Sequence, residues 1–515
     1  MSAFFNKIVN LHSKIKQTKT ISVINGILSS PYGITFVAFF ALFANMFSLE
    51  LLMFSISVLI CVYVSLFGDD FLPLMPLFVF CYISVSSDNN PGNNSNSIFY
   101  NTPCIVYMFV IVAIAVISLL LRIGFDKNMG YKKLFTQKRS LLWGVCALGL
   151  AYFLSGIGHS NYKNIVGNNL LFALLQFLSI FLLYFIFTAT INWKKAPKDY
   201  FAWFGLILGL TILLQIVFIY INVDVVVDGI IKRGRINTGW GISNNIGALL
   251  ATTIPFAFYL ACKKKHNYIF LILATLLLFG TFLTGSRASI LGGLFIYLVS
   301  LVISFIKAEH KKSFRISTAV LVGVCLIFGL VFMKSISKIF TNILNAFANI
   351  KNDERLNLYK NGWKAFLASP IFGQSFYPSG YIPYQASNVD SFTSLFPPRW
   401  HNTIIQLLAS CGILGLIAYS YHRIQTIILF CKKPTMEKSF IGLSILVLLL
   451  TSLLDCHFFN IGPVLFYSMA LAFAEKINEE PEVIVEVKDE KIEDKKEDDV
   501  EESQKETESK KIAEK

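Results

Sequence analysis

The sequence predicts an all-α protein that crosses a membrane many times. Hydrophobic residues make up 55% of its 515 residues, charged residues make up only 15%, and the mean hydropathy is +0.61. The apolar residues lie in runs long enough to cross a hydrocarbon layer of about 30 Å as helices. Soluble globular chains do not have this composition. We therefore expect a multi-pass bundle of membrane helices.

Fourteen apolar stretches are candidate membrane spans. The first few are short, so the prediction is about 12 to 14 transmembrane helices. The stretches cover roughly residues 32–48, 49–67, 71–87, 103–121, 140–157, 168–191, 201–222, 242–261, 268–284, 288–306, 316–333, 403–430, 439–455 and 461–475.

Basic residues are concentrated in alternate connections between these spans. Residues 88–102 and 456–462 contain no Lys or Arg. Because cytoplasmic loops carry the excess of Lys and Arg, the basic connections and both termini are predicted to be cytoplasmic. The net charge of +14 is then a topology signal and does not predict a nucleic-acid partner. The basic connections are Arg122–Arg139, Lys194–Lys198, Lys263–Lys265, Lys307–Arg315 and Lys432–Lys438.

The spans divide the chain into five regions. The C-terminal tail, residues 476–515, has mixed charge, low complexity and few apolar residues, which predicts disorder. In the large loop, apolar residues recur at helical spacing over 336–350 and again from Glu354, which predicts helices. The regions are an amphipathic cytoplasmic N-terminus (1–31), an N-terminal transmembrane bundle (32–333), a large extracytoplasmic loop (334–402), C-terminal transmembrane helices (403–475) and a cytoplasmic tail (476–515).

The cysteines and carboxylates do not form a metal-ligand pattern. The nine cysteines lie singly, without a CxxC motif or a Cys/His cluster. The carboxylates predicted on the outer side also lack the spacing of metal ligands. We therefore expect no metal and no cofactor. Asp455 and His457, at the end of a span, form only a weak candidate pair.

Four of the arginines on the predicted outer side, where the charge bias disfavours them, are candidate site residues. They are Arg235, Arg287, Arg355 and Arg399. A guanidinium stays charged and binds phosphate through two parallel hydrogen bonds, so converging arginines suit a lipid-linked pyrophosphate. Each arginine alone is also explained as an interface anchor. Arg287 is the strongest candidate, because the hairpin "TGSR" between two spans has no structural need for a guanidinium.

A histidine stands where the large loop re-enters the membrane, in "PPRWHNTIIQLLASCGILG" (397–415). Ionisable groups at membrane depth are costly and are often functional. His401 is predicted to open a helix, whose partly positive N-terminus favours a neutral ring that accepts a proton, as a general base does. Capping or packing is the alternative interpretation. Asn402, Arg399 and Trp400 are its supporting residues.

Four stretches, in this order, resemble the O-antigen ligase and polymerase family of integral-membrane glycosyltransferases. They lie roughly within residues 235–421, while the N-terminal third matches only as hydrophobic spans. The ordered set of four is fairly specific. The stretches are "GRINTGWGISNNIGALLA", "GTFLTGSRASILGGLFIYLVS", "RLNLYKNGWKAFLASPIFG" and "HNTIIQLLASCGILGLIAY".

The resemblance implies a fold of the glycosyltransferase C type and a metal-independent, inverting enzyme. It implies transfer of a glycan from an undecaprenyl-pyrophosphate carrier to an acceptor hydroxyl at the outer face of a bacterial plasma membrane. Arg235 and Arg287 would bind the pyrophosphate, and His401 in the "HN" motif would activate the acceptor. Arg355 matches the loop arginine of the family.

The resemblance leaves the acceptor open. A polymerase extends another lipid-linked unit, a ligase uses a glycolipid or other surface glycan, and a protein glycosylase uses Ser or Thr. Outside this class, a transporter or flippase of a lipid-linked saccharide would use the same arginines. That alternative needs a polar path across the bilayer, and the inner halves of the spans contain few charges.

Overall fold

The computed structural model describes residues 16–86, 102–125, 138–158, 162–227, 230–331, 354–377 and 399–477, together with residues 333, 337 and 341. The predicted charged tail, the first helix predicted in the large loop and most of the Pro-rich part of that loop lie outside the described residues. The limits predicted for the five regions stay a prediction.

Helices coincide with all fourteen predicted spans. The helices are α1 (Lys19–Leu28), α2 (Pro31–Phe47), α3 (Glu50–Phe67), α4 (Met75–Ile83), α5 (Thr102–Phe125), α6 (Leu142–Phe153), α7 (Tyr162–Phe177), α8 (Leu183–Thr190), α9 (Tyr200–Asn222), α10 (Ser243–Lys263), α11 (Asn267–Leu283), α12 (Arg287–Lys307), α13 (Lys311–Val331), α14 (Glu354–Ala368), α15 (Thr403–Cys431), α16 (Met436–Ser452) and α17 (Ile461–Lys476).

Six helical segments in the described part of the chain are long and apolar enough to cross a membrane. A seventh is added if α1 and α2, which are bent by 67° at their junction, count as one span. The chain is therefore a multi-pass, helical membrane protein, as the sequence predicted. The number of spans stays a prediction. The six segments are α3, Val166–Thr190 (most of α7, the π-helical turn Leu178–Leu182 and all of α8), α9, α10, α12 and α15.

Helix α10 lies at the centre of the bundle. Nearly all its residues are buried, and it packs against α9, α11, α12 and α16. The approach to α9 is close, because a Cβ at Gly209 would lie 2.3 Å from the hydroxyl of Thr253. The N-terminus of α10 is thereby held in a fixed position at one end of the bundle.

Two short hairpins precede α10, where the sequence predicted only a loop. Strand β1 (Val226–Val227) pairs with β2 (Ile230–Ile231), and β3 (Asn237–Thr238) pairs with β4 (Gly241–Ile242). A single 3-10 turn, Arg233–Arg235, connects them. The backbone pairing holds this arginine-bearing turn in place.

Helix α15 is broken at Gly412, which has φ 65° and ψ −158°. The segment that follows α14 fills the break. The N–H groups of Gln374 and Ser375 donate to the carbonyls of Ala409 and Ser410, at 2.7 Å and 3.1 Å, and the N–H of Ile413 donates to the Pro370 carbonyl at 2.8 Å. Backbone groups freed by a break within a membrane must find partners in the protein. The inserted segment supplies them and anchors the large loop inside the bundle.

Candidate functional site

A histidine and a carboxylate meet at the end of the bundle where α15 begins. His401 Nδ1 lies 3.1 Å from Asp455 Oδ1, although the residues are 54 positions apart. The His401 side chain is 29% exposed and that of Asp455 only 6%. An ionised carboxylate can only accept, so Nδ1 carries the hydrogen and Nε2 of the neutral ring has a free lone pair. This is the arrangement of a base and the group that orients it.

Asn402, not His401, caps α15. The Asn402 Oδ1 accepts from the N–H groups of Ile404 and Ile405 at 2.8 Å and 3.0 Å, and its Nδ2 donates to the Leu453 carbonyl at 2.8 Å. His401 therefore precedes the helix, with a φ of 52° in the left-handed region. Such a conformation is uncommon for a non-glycine residue and marks functional sites. The capping alternative for His401 is thus taken by its neighbour.

Two further residues, Trp400 and Tyr359, hold the backbone at His401 in place. Trp400 is fully buried against Ala365 of α14 and Ala409 of α15, and its backbone N–H donates to Gln406 Oε1 at 3.1 Å. The hydroxyl of Tyr359, on α14, donates to the His401 carbonyl at 3.0 Å. Trp400 is therefore an anchor inside the protein, and its ring is not exposed to a sugar.

Asp455 is surrounded by hydrogen-bond donors. Besides His401, the Cys456 N–H donates to Oδ1 at 2.7 Å, and Asn244 Nδ2 donates to Oδ2 at 2.7 Å. Burial raises the pKa of this carboxyl, but the hydrogen bonds that it accepts from His401 and from the Cys456 N–H outweigh burial, and the pKa lies well below its usual value. The carboxylate is ionised at neutral pH.

Three of the four predicted arginines donate hydrogen bonds to backbone carbonyls. Arg355 Nη1 donates to the Leu454 carbonyl at 2.7 Å, and Arg399 Nη2 donates to the Phe459 carbonyl at 2.8 Å. Both therefore reach the segment that carries Asp455. Arg235 is exposed, and its guanidinium donates to the backbone carbonyl of Asp224.

Arg287 lies at the first position of α12, half-buried, after the tight hairpin at Gly285. Gly285 has a φ of 64°, and a Cβ there would lie 3.1 Å from Cγ of Arg233. Arg233 thus packs on the hairpin that leads to Arg287, and its Nη2 donates to Asn244 Oδ1. Through Asn244, Arg233 is connected to Asp455.

A second histidine lies beside this network. The Nδ1 of His457 lies 3.0 Å from Asn245 Oδ1, which also accepts from Asn460 Nδ2 at 2.7 Å. Because this amide oxygen only accepts, Nδ1 carries the hydrogen. Burial lowers the pKa of His457, and burial also raises the pKa of the Cys456 thiol, to about 12. His457 is held neutral and Cys456 stays a thiol.

Sequence reasoning missed Asp455, Asn244 and Arg233 as members of one site. The sequence pattern pairs Asp455 only with its near neighbour His457, and Asn244 lies inside a family-like stretch without a feature of its own. The resemblance points to Arg235 and not to Arg233, two residues away. No local pattern links these positions. The available signal was that each lies beside the end of a predicted span on the same side of the membrane.

The fold and site define a multi-pass membrane protein with a His–carboxylate pair among arginines, in loops at one end of the helix bundle. Comparison with known proteins gives two matches. Residues 270–420 match the family model described as O-Antigen ligase. The chain is 30% identical over 188 residues to the teichuronic acid biosynthesis protein TuaE of Bacillus subtilis (strain 168), a match that covers 32% of this chain and 36% of that protein.

The matched part is thus about a third of the relative's length. These matches confirm the resemblance to the O-antigen ligase family for the region that carries Arg287, Arg355 and His401.

Proposed function

We propose that this protein is a membrane glycosyltransferase that moves a glycan from an undecaprenyl-pyrophosphate carrier to an acceptor hydroxyl during surface polysaccharide assembly. We place the reaction at the outer face of a bacterial plasma membrane, with both termini in the cytoplasm. The family match and the relative's role in teichuronic acid biosynthesis support this class of reaction. The acceptor is a glycan or glycolipid, which includes both ligation and polymerisation.

The observation that carries the proposal is the contact between His401 and Asp455. It gives the imidazole a fixed tautomer and leaves part of the ring exposed. A general base needs an accessible nitrogen within reach of the proton that it removes. A transporter of a lipid-linked saccharide would have no need of an oriented base.

The proposed reaction proceeds in one displacement. His401 Nε2 takes the proton of the acceptor hydroxyl, and the oxygen attacks the anomeric carbon of the glycan. The bond from that carbon to the carrier pyrophosphate breaks, and the pyrophosphate leaves with the electron pair. Because the oxygen attacks from the side opposite the pyrophosphate, the configuration at the anomeric carbon is inverted. Asp455 stabilises the imidazolium that forms. Arg235 and Arg287 stabilise the leaving pyrophosphate, and Arg355 supports the site. The proposed reaction uses no metal.

The test is single-turnover transfer in detergent with EDTA present. The donors are lipid-linked glycans extracted from membranes of the cells that make this protein, offered with a panel of glycan and glycolipid acceptors. We expect transfer by the wild type and a loss of about 100-fold or more in His401→Ala. The matched control is His310→Ala. His310 is exposed and lies between α12 and α13, at the end of α12 away from Arg287.

Two results would contradict the proposal. Transfer by His401→Ala at the wild-type rate would remove His401 as the base. Movement of the lipid between leaflets of a vesicle, without formation of a glycosidic bond, would replace the transferase with the transporter.

A further inference from the structure

The turn before α10 contains two arginines with different surroundings. Arg235 is exposed, and its guanidinium contacts a backbone carbonyl. Arg233 is half-buried, packs its stem on Gly285 of the hairpin that carries Arg287, and donates to Asn244. Arg233 is thus connected to the hairpin that carries Arg287 and, through Asn244 and Asp455, to His401.

Asn244 can adopt only one amide orientation in this site. Arg233 has donors and no acceptor, so it must face the Asn244 oxygen, and the ionised Asp455 has acceptors only, so it must face the Asn244 nitrogen. Asp455 Oδ2 is thereby occupied, and Oδ1 is left for His401. The position of Arg233 is therefore transmitted to the histidine through two side chains.

We propose that Arg233 binds an oxyanion of the donor diphosphate and that Asn244 is a positioning residue that links this binding to the His401–Asp455 pair. This inference rests on the proposed glycosyl transfer and adds residues to its donor site. A guanidinium carries several N–H donors on different edges, so it can serve Asn244 and a phosphate oxygen together. Binding of the leaving group then holds the base in place.

The first experiment measures binding of undecaprenyl diphosphate, without glycan, to the full chain in detergent. Arg233→Gln is expected to weaken binding by about 10- to 100-fold, the range for loss of a charged hydrogen bond. Lys232→Gln is the matched control, because it removes an exposed charge from the same turn. If Arg233→Gln does not fold, Arg233→Lys keeps the charge and loses the planar fork, and is expected to weaken binding to a smaller degree.

The second experiment separates positioning from binding. Asn244→Ala is expected to bind undecaprenyl diphosphate within about twofold of wild type, while single-turnover transfer at saturating donor falls by about tenfold or more. A loss of fold alone would not produce this division between affinity and rate. Asn244→Gln, which retains an amide, is expected to recover part of the rate.

Equal binding by Arg233→Gln and Lys232→Gln would overturn the role of Arg233. Unchanged transfer by Asn244→Ala would overturn the link to the base. Both results leave the proposed transferase intact if His401→Ala is inactive. Conversely, wild-type transfer by His401→Ala would remove the proposed base, while the diphosphate measurement would still report on Arg233.

Discussion

Two histidines, His401 just before α15 and His422 inside it, have different surroundings. His401 faces Asp455, and its side chain is 29% exposed. His422 is fully buried, and its Nε2 lies 2.8 Å from the hydroxyl of Tyr467, which also accepts from Arg423 Nη1 at 2.7 Å. The Arg423 guanidinium is in turn enclosed by aromatic rings, at 4.4 Å from that of Phe458.

The difference shows which histidine is suited to chemistry. A base needs an accessible nitrogen and a partner that stabilises its charged form. His401 has both, whereas the neighbours of His422 are a hydroxyl and a cation, and none of its surface is open. His422, Arg423 and Tyr467, which we call the inner cluster, instead join α15 to α17 and, through Phe458, to the segment that carries Asp455. We therefore expect changes at the outer pair to affect the rate and changes at the inner cluster to affect stability.

The largest expected effect is that of Asp455→Asn. The amide would present a donor or a weaker acceptor to His401 and would favour the wrong tautomer of the ring, which costs about 10⁴ in rate in serine proteases. We expect single-turnover transfer to fall by about 100-fold or more. Asp69→Asn, at an exposed carboxylate, is the control. Wild-type transfer by Asp455→Asn would make the pair a structural contact like that of His422.

Gly412→Ala tests whether the break in α15 is needed to bring the outer pair together. The added Cβ would lie 2.3 Å from the Ile371 carbonyl oxygen, at a φ of 65° that alanine disfavours. The expected loss is about 2 kcal/mol or more of stability, with a fall in transfer as the inserted segment is displaced. Thermal unfolding in detergent measures the first quantity.

The control for this change is Gly323→Ala, because no atom lies within 4 Å of a Cβ at that position in α13. Alanine in a helix interior is favourable by up to about 1 kcal/mol, so this variant should unfold at the same or a higher temperature. If both variants behaved alike, the left-handed residue at Gly412 would have no structural role.

The helices were predictable from the sequence because apolar runs at membrane depth have few alternatives to a helix. The same reasoning placed His401 at the entrance of α15, and the structure adds that Asn402 caps the helix. It could not pair His401 with Asp455, because hydropathy gives the ends of helices and not which ends meet. It also could not find the break at Gly412, whose backbone partners come from a distant loop.

Tyr467→Phe tests the inner cluster. Loss of the hydroxyl leaves the His422 nitrogen and an Arg423 N–H without this partner, and an unsatisfied buried polar group costs about 1–3 kcal/mol. We expect a lower unfolding temperature, with transfer per folded molecule close to wild type. Tyr268→Phe, at a tyrosine that is 50% exposed, should change neither quantity. A large fall in transfer with unchanged stability would give the inner cluster a part in the reaction.

The smallest expected effect is the pH dependence that His457 contributes. Burial holds its folded-state pKa below that of the unfolded chain, with the nearby Asp455 raising it and Arg355 lowering it. The unfolded chain therefore binds a proton more readily, so this contribution is complete above about pH 6.5 and is lost as the pH falls towards the folded-state pKa. His457→Asn retains a donor for Asn245 and does not titrate. The difference in unfolding temperature between wild type and variant should thus change below about pH 6.5 and stay constant above it. A constant difference from pH 5 to 8 would show that His457 titrates alike in both states.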